Sequence, residues 1–205
     1  MLGPTLPAVD PWSIAAVAAG YLIGSIDFGV ILPRLFGVDI YSVGSGNPGT
    51  TNVLRTMGRG MAAATLVGDV AKGLAAAVLG DVAGGTAAGF AAGFGAVVGH
   101  CFPVWHRFRG GKGVATAGGS QFWLEPILGA ILVGLWALIV AVTRKASIAS
   151  LFLAVLLVPG VLLFDVRGWA LAWAGAISVL VIYRHRGNIG RLIAGAEHEI
   201  EGSPE

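Results

Sequence analysis

Long apolar runs separated by short polar stretches set the pattern of this chain, at 12–35, 60–80, 84–104, 113–124, 127–142, 148–164 and 168–183. A helix rises 1.5 Å per residue, so roughly 20 apolar residues cross about 30 Å of hydrocarbon. The fourth run, Gly113–Leu124, is too short to cross freely. It is expected either to shelter among its neighbours or to re-enter the face it left. The pattern predicts an all-α, polytopic membrane bundle of seven helices, one of them short.

Composition agrees. Of 205 residues, 56% are hydrophobic and 12% charged, where a water-soluble domain carries about 25% charged residues. A soluble, unusually apolar helical protein is the alternative. The net charge of +2 is too small to suggest nucleic acid as a partner. The single cysteine, Cys101, excludes an intramolecular disulfide and a thiolate metal cluster, and reads as a small buried hydrophobe. The four histidines and scattered carboxylates lack ligand spacing, so neither a metal nor another cofactor is expected.

Basic residues then orient the bundle. Arg34, Arg55 and Arg59 lie between runs one and two, and Arg107, Arg109 and Lys112 precede run four. Arg144 and Lys145 follow run five, and Arg184, Arg186 and Arg191 follow run seven. The intervening connections carry only Asp81, Glu125, Asp165 and Arg167. The positive-inside bias places the N-terminus outside and the C-terminus in the cytoplasm. The first dozen residues lack the positive region of a signal peptide and read as an uncleaved, outward-facing start. A single membrane domain over 1–205 is expected, with 1–11 as an extracytoplasmic tail and 196–205 as a cytoplasmic tail. Glycine, with 33 copies, recurs at small-xxx-small spacing in Gly85-Gly89-Gly93 and Gly95-Gly99, which lets membrane helices approach closely.

The polar chemistry gathers in the basic connections. Gly44-Ser45-Gly46-Asn47-Pro48-Gly49-Thr50-Thr51-Asn52, with Arg55 beyond it, combines exposed backbone N–H groups, neutral donors and a planar guanidinium. That is a donor set for phosphate. A dinucleotide reading of its glycines fails, because Asp69 lies inside an apolar run and no βαβ unit is present. Arg109-Gly110-Gly111-Lys112-Gly113 resembles a phosphate loop without the hydroxyl that should follow the lysine. A helix starts just after it, so helix-end N–H groups face the loop. His185-Arg186-Gly187-Asn188-Ile189-Gly190-Arg191-Leu192, a stretch ending near Glu197, offers a base, a phosphate donor or a headgroup anchor. Ser147 and Ser150 suit capping of the sixth run. Asp69 and Lys72, three apart within a membrane helix, read equally as a functional pair or a neutralised structural one.

These residues resemble the bacterial acyl-phosphate:glycerol-3-phosphate acyltransferases. The resemblance rests on GSIDFG at Gly24–Gly29, GVDI…GSGNPGTTNVLR at Gly37–Arg55, GHCFPVWHRFRGGKGVAT at Gly99–Thr116, ASIAS at Ala146–Ser150 and RHRGNIGRLIAGAE at Arg184–Glu197. Departures are Asp27 where proline is usual, Tyr41 where a basic residue is common, Thr50 for alanine, Ala149 for serine and Arg109 for lysine. None removes a residue expected to meet phosphate. The resemblance implies an enzyme of the bacterial cytoplasmic membrane, with its active site facing the cytoplasm. It would move a fatty acyl group from acyl phosphate to the 1-hydroxyl of glycerol 3-phosphate. It further implies His185, Lys112, Ser150 and Asn188 as catalytic residues. The phosphate-binding set would be Ser45, Gly46, Asn47, Gly49, Thr51, Asn52, Arg55, Gly110, Gly111, Ser147 and Arg191. No histidine has an aspartate five positions on, which separates the chain from acyltransferases built on that dyad. A transporter for a phosphorylated small molecule is the rival class, but its polar site belongs near the bilayer midplane.

Overall fold

The computed structural model describes residues 11–200; the expected outermost ends, 1–10 and 201–205, lie outside the described residues. Among the described residues every regular element is helical. The helices are α1 (Pro11–Gly24), α2 (Phe28–Leu35), α3 (Thr50–Cys101), α4 (Val114–Leu124), α5 (Pro126–Thr143), α6 (Ala146–Leu163), α7 (Gly168–Arg184) and α8 (Arg186–Ile193).

The run expected as one helix from Trp12 breaks at Ser25–Asp27 into α1 and α2. Two groups satisfy backbone atoms at the break. Ser25 Oγ donates to the Tyr21 carbonyl at 2.8 Å, and Lys72 Nζ donates to the Ile26 carbonyl at 2.8 Å. The Tyr21 carbonyl also accepts the Ser25 N–H at 2.9 Å, whereas the Ile26 carbonyl, left unpaired in an apolar surround, would cost several kcal/mol.

The second and third runs, expected as separate helices joined by a loop at Asp81, belong to one 52-residue helical run. Straight, it would measure about 80 Å, far beyond a bilayer. It reverses at Gly85 (φ 76°, ψ −175°) and turns again at Gly58 (φ 80°, ψ −178°). Both conformations lie in a region open essentially to glycine alone. The reversal makes 59–84 and 86–101 an antiparallel pair: a Cβ on Gly80 would meet the Ala88 carbonyl at 2.4 Å. Gly85 is therefore a hinge and not the packing position its spacing suggested. Gly95 and Gly99 do serve close approach, to α1, where added Cβ atoms would lie 2.2 and 2.1 Å from the Val17 and Tyr21 carbonyls. Gly20 and Gly24 face Ala92 and Ala96 in the same way.

The short α4 is sheltered by α3. Cβ atoms on Gly73 and Gly119 would each come within 2.0 Å of a backbone oxygen, of Thr116 and Val70 respectively. The helix is short because the backbone before it descends into the bundle: Gly110, Gly111 and Gly113 are all buried. By length and composition Pro11–Leu35, Thr50–His106, Pro126–Thr143 and Ala146–Leu163 can cross a membrane. Since the second doubles back, these stretches with α4 and α7 make up the seven segments expected. A core of Phe90, Val97, Leu157, Val161, Ala174 and Ile177 joins α3, α6 and α7. Leu79, Val142, Val155, Leu163 and Val179 are exposed on the flanks, as lipid-facing positions require.

Side-chain contacts assign the ends. Arg55 Nε donates to the Glu199 carbonyl at 3.1 Å, Arg144 pairs with Glu199 at 3.0 Å, and Arg184 bonds the Gly110 and Gly111 carbonyls. The connections 36–49, 102–113, 144–145 and the segment after α7 thus share one end. At the other, Trp123 Nε1 donates to Asp81 at 2.9 Å. Neither Ser147 nor Ser150 caps α6. Lys145 is the residue before its first turn, and Thr143 Oγ1 accepts the Lys145 N–H at 3.2 Å.

Candidate active site

The loop 37–49 is braced from within. Asn52, buried on the first turn of α3, accepts the Ser45 N–H at Oδ1 (2.8 Å) and donates through Nδ2 to the Val43 carbonyl (3.1 Å). Its amide is spent on loop shape, which leaves Ser45, Gly46 and Asn47 presented outward. Gly44 has positive φ (57°), and a Cβ there would strike Asn52 Oδ1 at 2.2 Å. Gly49 precedes α3, and Thr51 lies in its first turn. A cleft of 330 Å³ opens between this loop and the third connection, lined by Tyr41, Ser45, Gly46, Asn47, Pro48, Phe108, Arg109, Gly110 and Arg184. Arg109 lies over the Tyr41 ring at 4.5 Å, and the Tyr41 hydroxyl donates to the Arg109 carbonyl.

Gly110–Gly111–Lys112 forms the inner wall. Arg184 clamps it with Nε to the Gly111 carbonyl at 3.0 Å and Nη2 to the Gly110 carbonyl at 2.8 Å, while its guanidinium covers the Phe102 ring. Helix α4 begins immediately afterwards and turns its free N–H groups towards the loop.

On the far side of Lys112 lies a second polar cluster. Asn188 Nδ2 donates to Glu197 Oε1 at 2.6 Å, and Arg191 Nε donates to Glu197 Oε2 at 2.9 Å. Ser147 Oγ is buried without a partner of hydrogen-bond geometry, yet near enough to the carboxylate to help hold it ionised. Burial alone would raise the Glu197 pKa; Asn188, Ser147 and Arg191 outweigh it and hold the acid below its ordinary range. Burial, aided by Arg191, Arg55 and Arg184, pulls Lys112 down to about 8, with Glu197 opposing. Glu197 belongs to the segment expected as a cytoplasmic tail, which instead folds back over the cluster: Ile200 N–H donates to the Arg144 carbonyl at 2.7 Å.

His185 is buried at the end of α7, with Nδ1 2.7 Å from the Val181 carbonyl. A carbonyl only accepts, so Nδ1 carries the proton and the other ring nitrogen keeps its lone pair. Burial, then the Lys112 charge, lowers its pKa to about 4. The ring is neutral at pH 7, an acceptor of hydrogen bonds and a weak base.

Lys112, Ser147, Asn188, Arg191 and His185 thus meet in one cluster, while Ser45, Gly46, Asn47 and Gly110 border the cleft beside it. Gly111 joins the two. Arg55 reaches the cluster electrostatically. Ser150 stands apart, donating to the Ala146 carbonyl at 2.8 Å and accepting from Trp136 at 3.2 Å. Sequence reasoning missed Arg184, Glu197 and Tyr41 as site-forming residues; the first two bound the same RHRGN…GAE block that supplied His185 and Asn188. Among the described residues no group of three or more His, Cys, Asp or Glu side chains is placed to hold a metal.

Known proteins resemble this chain in sequence and fold. The family model described as glycerol-3-phosphate acyltransferase matches residues 14–195. The glycerol-3-phosphate acyltransferase of Nitrobacter winogradskyi is 48% identical over 195 residues, covering 93% of this chain and 97% of the relative. That of Cupriavidus metallidurans is 45% identical, covering 88% and 92%. Two crystal structures of PlsY (YgiH), an integral membrane glycerol 3-phosphate acyltransferase, superpose on the fold. The glycerol 3-phosphate form gives a TM-score of 0.88 at 36% identity, covering 92% of this chain and 96% of that one. The lysophosphatidic acid form gives 0.85 at 35% identity, covering 91% and 94%. With the family model, the relatives and the fold all matching over nearly its whole length, this chain belongs to the glycerol-3-phosphate acyltransferase family of integral membrane enzymes.

Proposed function

We propose that the enzyme transfers a fatty acyl group from acyl phosphate to the 1-hydroxyl of sn-glycerol 3-phosphate, releasing 1-acylglycerol 3-phosphate (lysophosphatidate) and phosphate. This is the first acylation of phospholipid synthesis. The observation that carries it is the pairing of two anion-competent places on either side of Gly110–Lys112. A reaction between two phosphorylated molecules needs two such places. One is the Ser45–Pro48 cleft with Arg109; the other is Lys112 with Ser147, Asn188 and Arg191. The forms named for the solved relatives, with glycerol 3-phosphate and with lysophosphatidic acid, support the acceptor and the product.

The glycerol hydroxyl attacks the acyl carbonyl, a C–O bond forms, and the carbonyl carbon's bond to the phosphate oxygen breaks. The Gly111 N–H is committed to the His100 carbonyl, so the donors for the negative charge that develops are the N–H groups that open α4 just after Lys112 and the second hydrogen of the Asn188 amide. Removing one such donor typically costs about 10²–10³ in rate. His185, neutral with one free ring nitrogen, receives a hydrogen bond from the attacking hydroxyl and orients it. Its low basicity favours a substrate phosphate as the final resting place of the proton. The basic end faces the cytoplasm, with the N-terminus outside, in accord with the positive-inside bias.

The test supplies purified protein in detergent with labelled glycerol 3-phosphate and palmitoyl phosphate, with palmitoyl-CoA in parallel. Lysophosphatidate from the acyl phosphate alone is expected. Product from acyl-CoA alone would overturn the donor, and none from either would overturn the reading.

A further inference from the structure

Below the site, within the membrane, lies a charged cluster that the reaction does not use. Lys72 Nζ meets Asp69 Oδ1 at 2.8 Å, and His100 Nδ1 lies 3.4 Å from the same oxygen, close in space but outside hydrogen-bond geometry. All three side chains are buried. Ionisable groups are costly at this depth and are retained for a purpose. Lys72 has one already, since it also satisfies the Ile26 carbonyl at the break between α1 and α2. Asp69 and His100 need another.

The glycines of the phosphate loop supply it. The Gly111 N–H donates to the His100 carbonyl at 3.1 Å. A Cβ on Gly111 would stand 2.2 Å from His100 Nε2, and one on Gly110 would stand 2.0 Å from the His100 carbonyl oxygen. Both glycines therefore rest directly on His100, one on its backbone and one on its ring. The ring's two nitrogens face opposite ways, Nδ1 to Asp69 and Nε2 to the loop. Arg184 holds the same two residues by their carbonyls.

We propose that Asp69 and His100 are positioning residues. Asp69 fixes the His100 imidazole, the imidazole is the floor beneath Gly110–Gly111, and that floor sets the depth at which Lys112 is held. The inference deepens the proposed acyl transfer and rests on it. It explains why the loop has two adjacent glycines: neither position has room for a methyl above His100. Lys112 is held among Glu197, Arg191, Arg55, Arg184 and His185, and its lowered pKa reports its depth.

The test is a cycle between His100 and Gly111 in the full-length protein in detergent, with thermal unfolding as the check on folding. G111A forces the loop off the ring and is expected to lower kcat/KM about 10²-fold, the usual result of an ångström-scale misplacement. H100A is expected to cost about 10-fold, a partial form of the same misplacement. In H100A/G111A the methyl takes the vacated space, so the double variant should exceed G111A alone; losses that multiply would overturn the proposal. H100N, which keeps a polar group facing Asp69, takes the place of H100A if that variant does not fold. D69N should lower kcat and move the alkaline limb of the pH profile upward as Lys112 nears water; an unchanged kcat and limb would also overturn it. Should wild type show no acyl transfer, the functional reading fails separately. The same cycle then runs on inorganic phosphate binding by calorimetry, where a double variant binding no better than G111A would overturn the positioning role.

Discussion

Arg184 holds Gly110 and Gly111 with both arms of its guanidinium, at 2.8 and 3.0 Å, while His100 supports the same residues from the opposite side. The two contacts fix a glycine pair that has no side chains to fix itself. Lysine keeps the charge but not the fork. R184K should therefore retain the fold and lose one bond to the loop. Hydrogen bonds from a charged donor are worth about 1.5–3 kcal/mol, or roughly 10- to 100-fold in kcat/KM. Steady-state kinetics beside a thermal melt measures this. Activity within twofold of wild type would mean that the loop keeps its shape unaided.

The acid–base behaviour of the site gives a prediction with a definite sign. Lys112 must be protonated to attract phosphate, and its pKa in the free enzyme is about 8. The pH dependence of kcat/KM reports the pKa values of the free enzyme and substrates, so it should fall above pH 8 as Lys112 loses its proton and below about pH 6 as the acceptor's phosphate gains one. Glu197 raises the Lys112 pKa. E197Q removes that support and should shift the alkaline limb to lower pH. A limb that stays put or moves up would show that another group governs it.

Much of this was legible in the sequence because the membrane imposes it. The apolar runs, the basic connections and the polar blocks near Ser45, Lys112 and Asn188 reflect local composition, and the structure gathers those blocks at one end. What was not legible depends on contacts distant in sequence or on single backbone angles. Arg184 and Gly110 are 74 residues apart, and nothing near Arg184 distinguishes a loop clamp from a topology charge. Gly85 sits within a regular glycine spacing that fits packing as well as reversal; only its φ of 76° decides. Asn52 read as a phosphate-binding residue and Ser150 as a catalytic one, but their hydrogen bonds are made within the fold.

The seating of α4 can be tested by adding single methyl groups. On Gly73 a Cβ would meet the Thr116 carbonyl oxygen at 2.0 Å, a backbone atom that cannot swing aside. Gly118, on the same short helix, has nothing within 4 Å of that position. G73A should destabilise by about 1–3 kcal/mol, as overpacking does. G118A should leave stability unchanged or raise it by up to about 1 kcal/mol, since alanine is the better helix former. Chemical unfolding of both variants in detergent makes the comparison. Equal effects would mean that α4 is not held by close backbone approach.

Asp27 is a departure from the acyltransferase pattern with a physical cost. It is fully buried, and neither carboxylate oxygen has a partner of hydrogen-bond geometry, although the Gly29 N–H is near. It stands before α2 with φ −96° and caps nothing with its side chain. Proline, usual here among the proteins this chain resembles, needs φ near −65° and no N–H partner. The N–H requirement is met, since no backbone hydrogen bond is donated by Asp27 N–H among those of the turn, and φ must close by roughly 30° to reach the proline value. D27P removes a buried polar group and narrows the unfolded ensemble, and both changes favour the folded state. An increase of about 1 kcal/mol at this chain length raises Tm by roughly 2–4 °C, readable by differential scanning fluorimetry in detergent. Activity should be retained, because Asp27 touches neither the loop at Gly110 nor the cluster at Lys112. A lowered Tm would instead show that Asp27 stabilises Lys72 and His100, the two groups that face it.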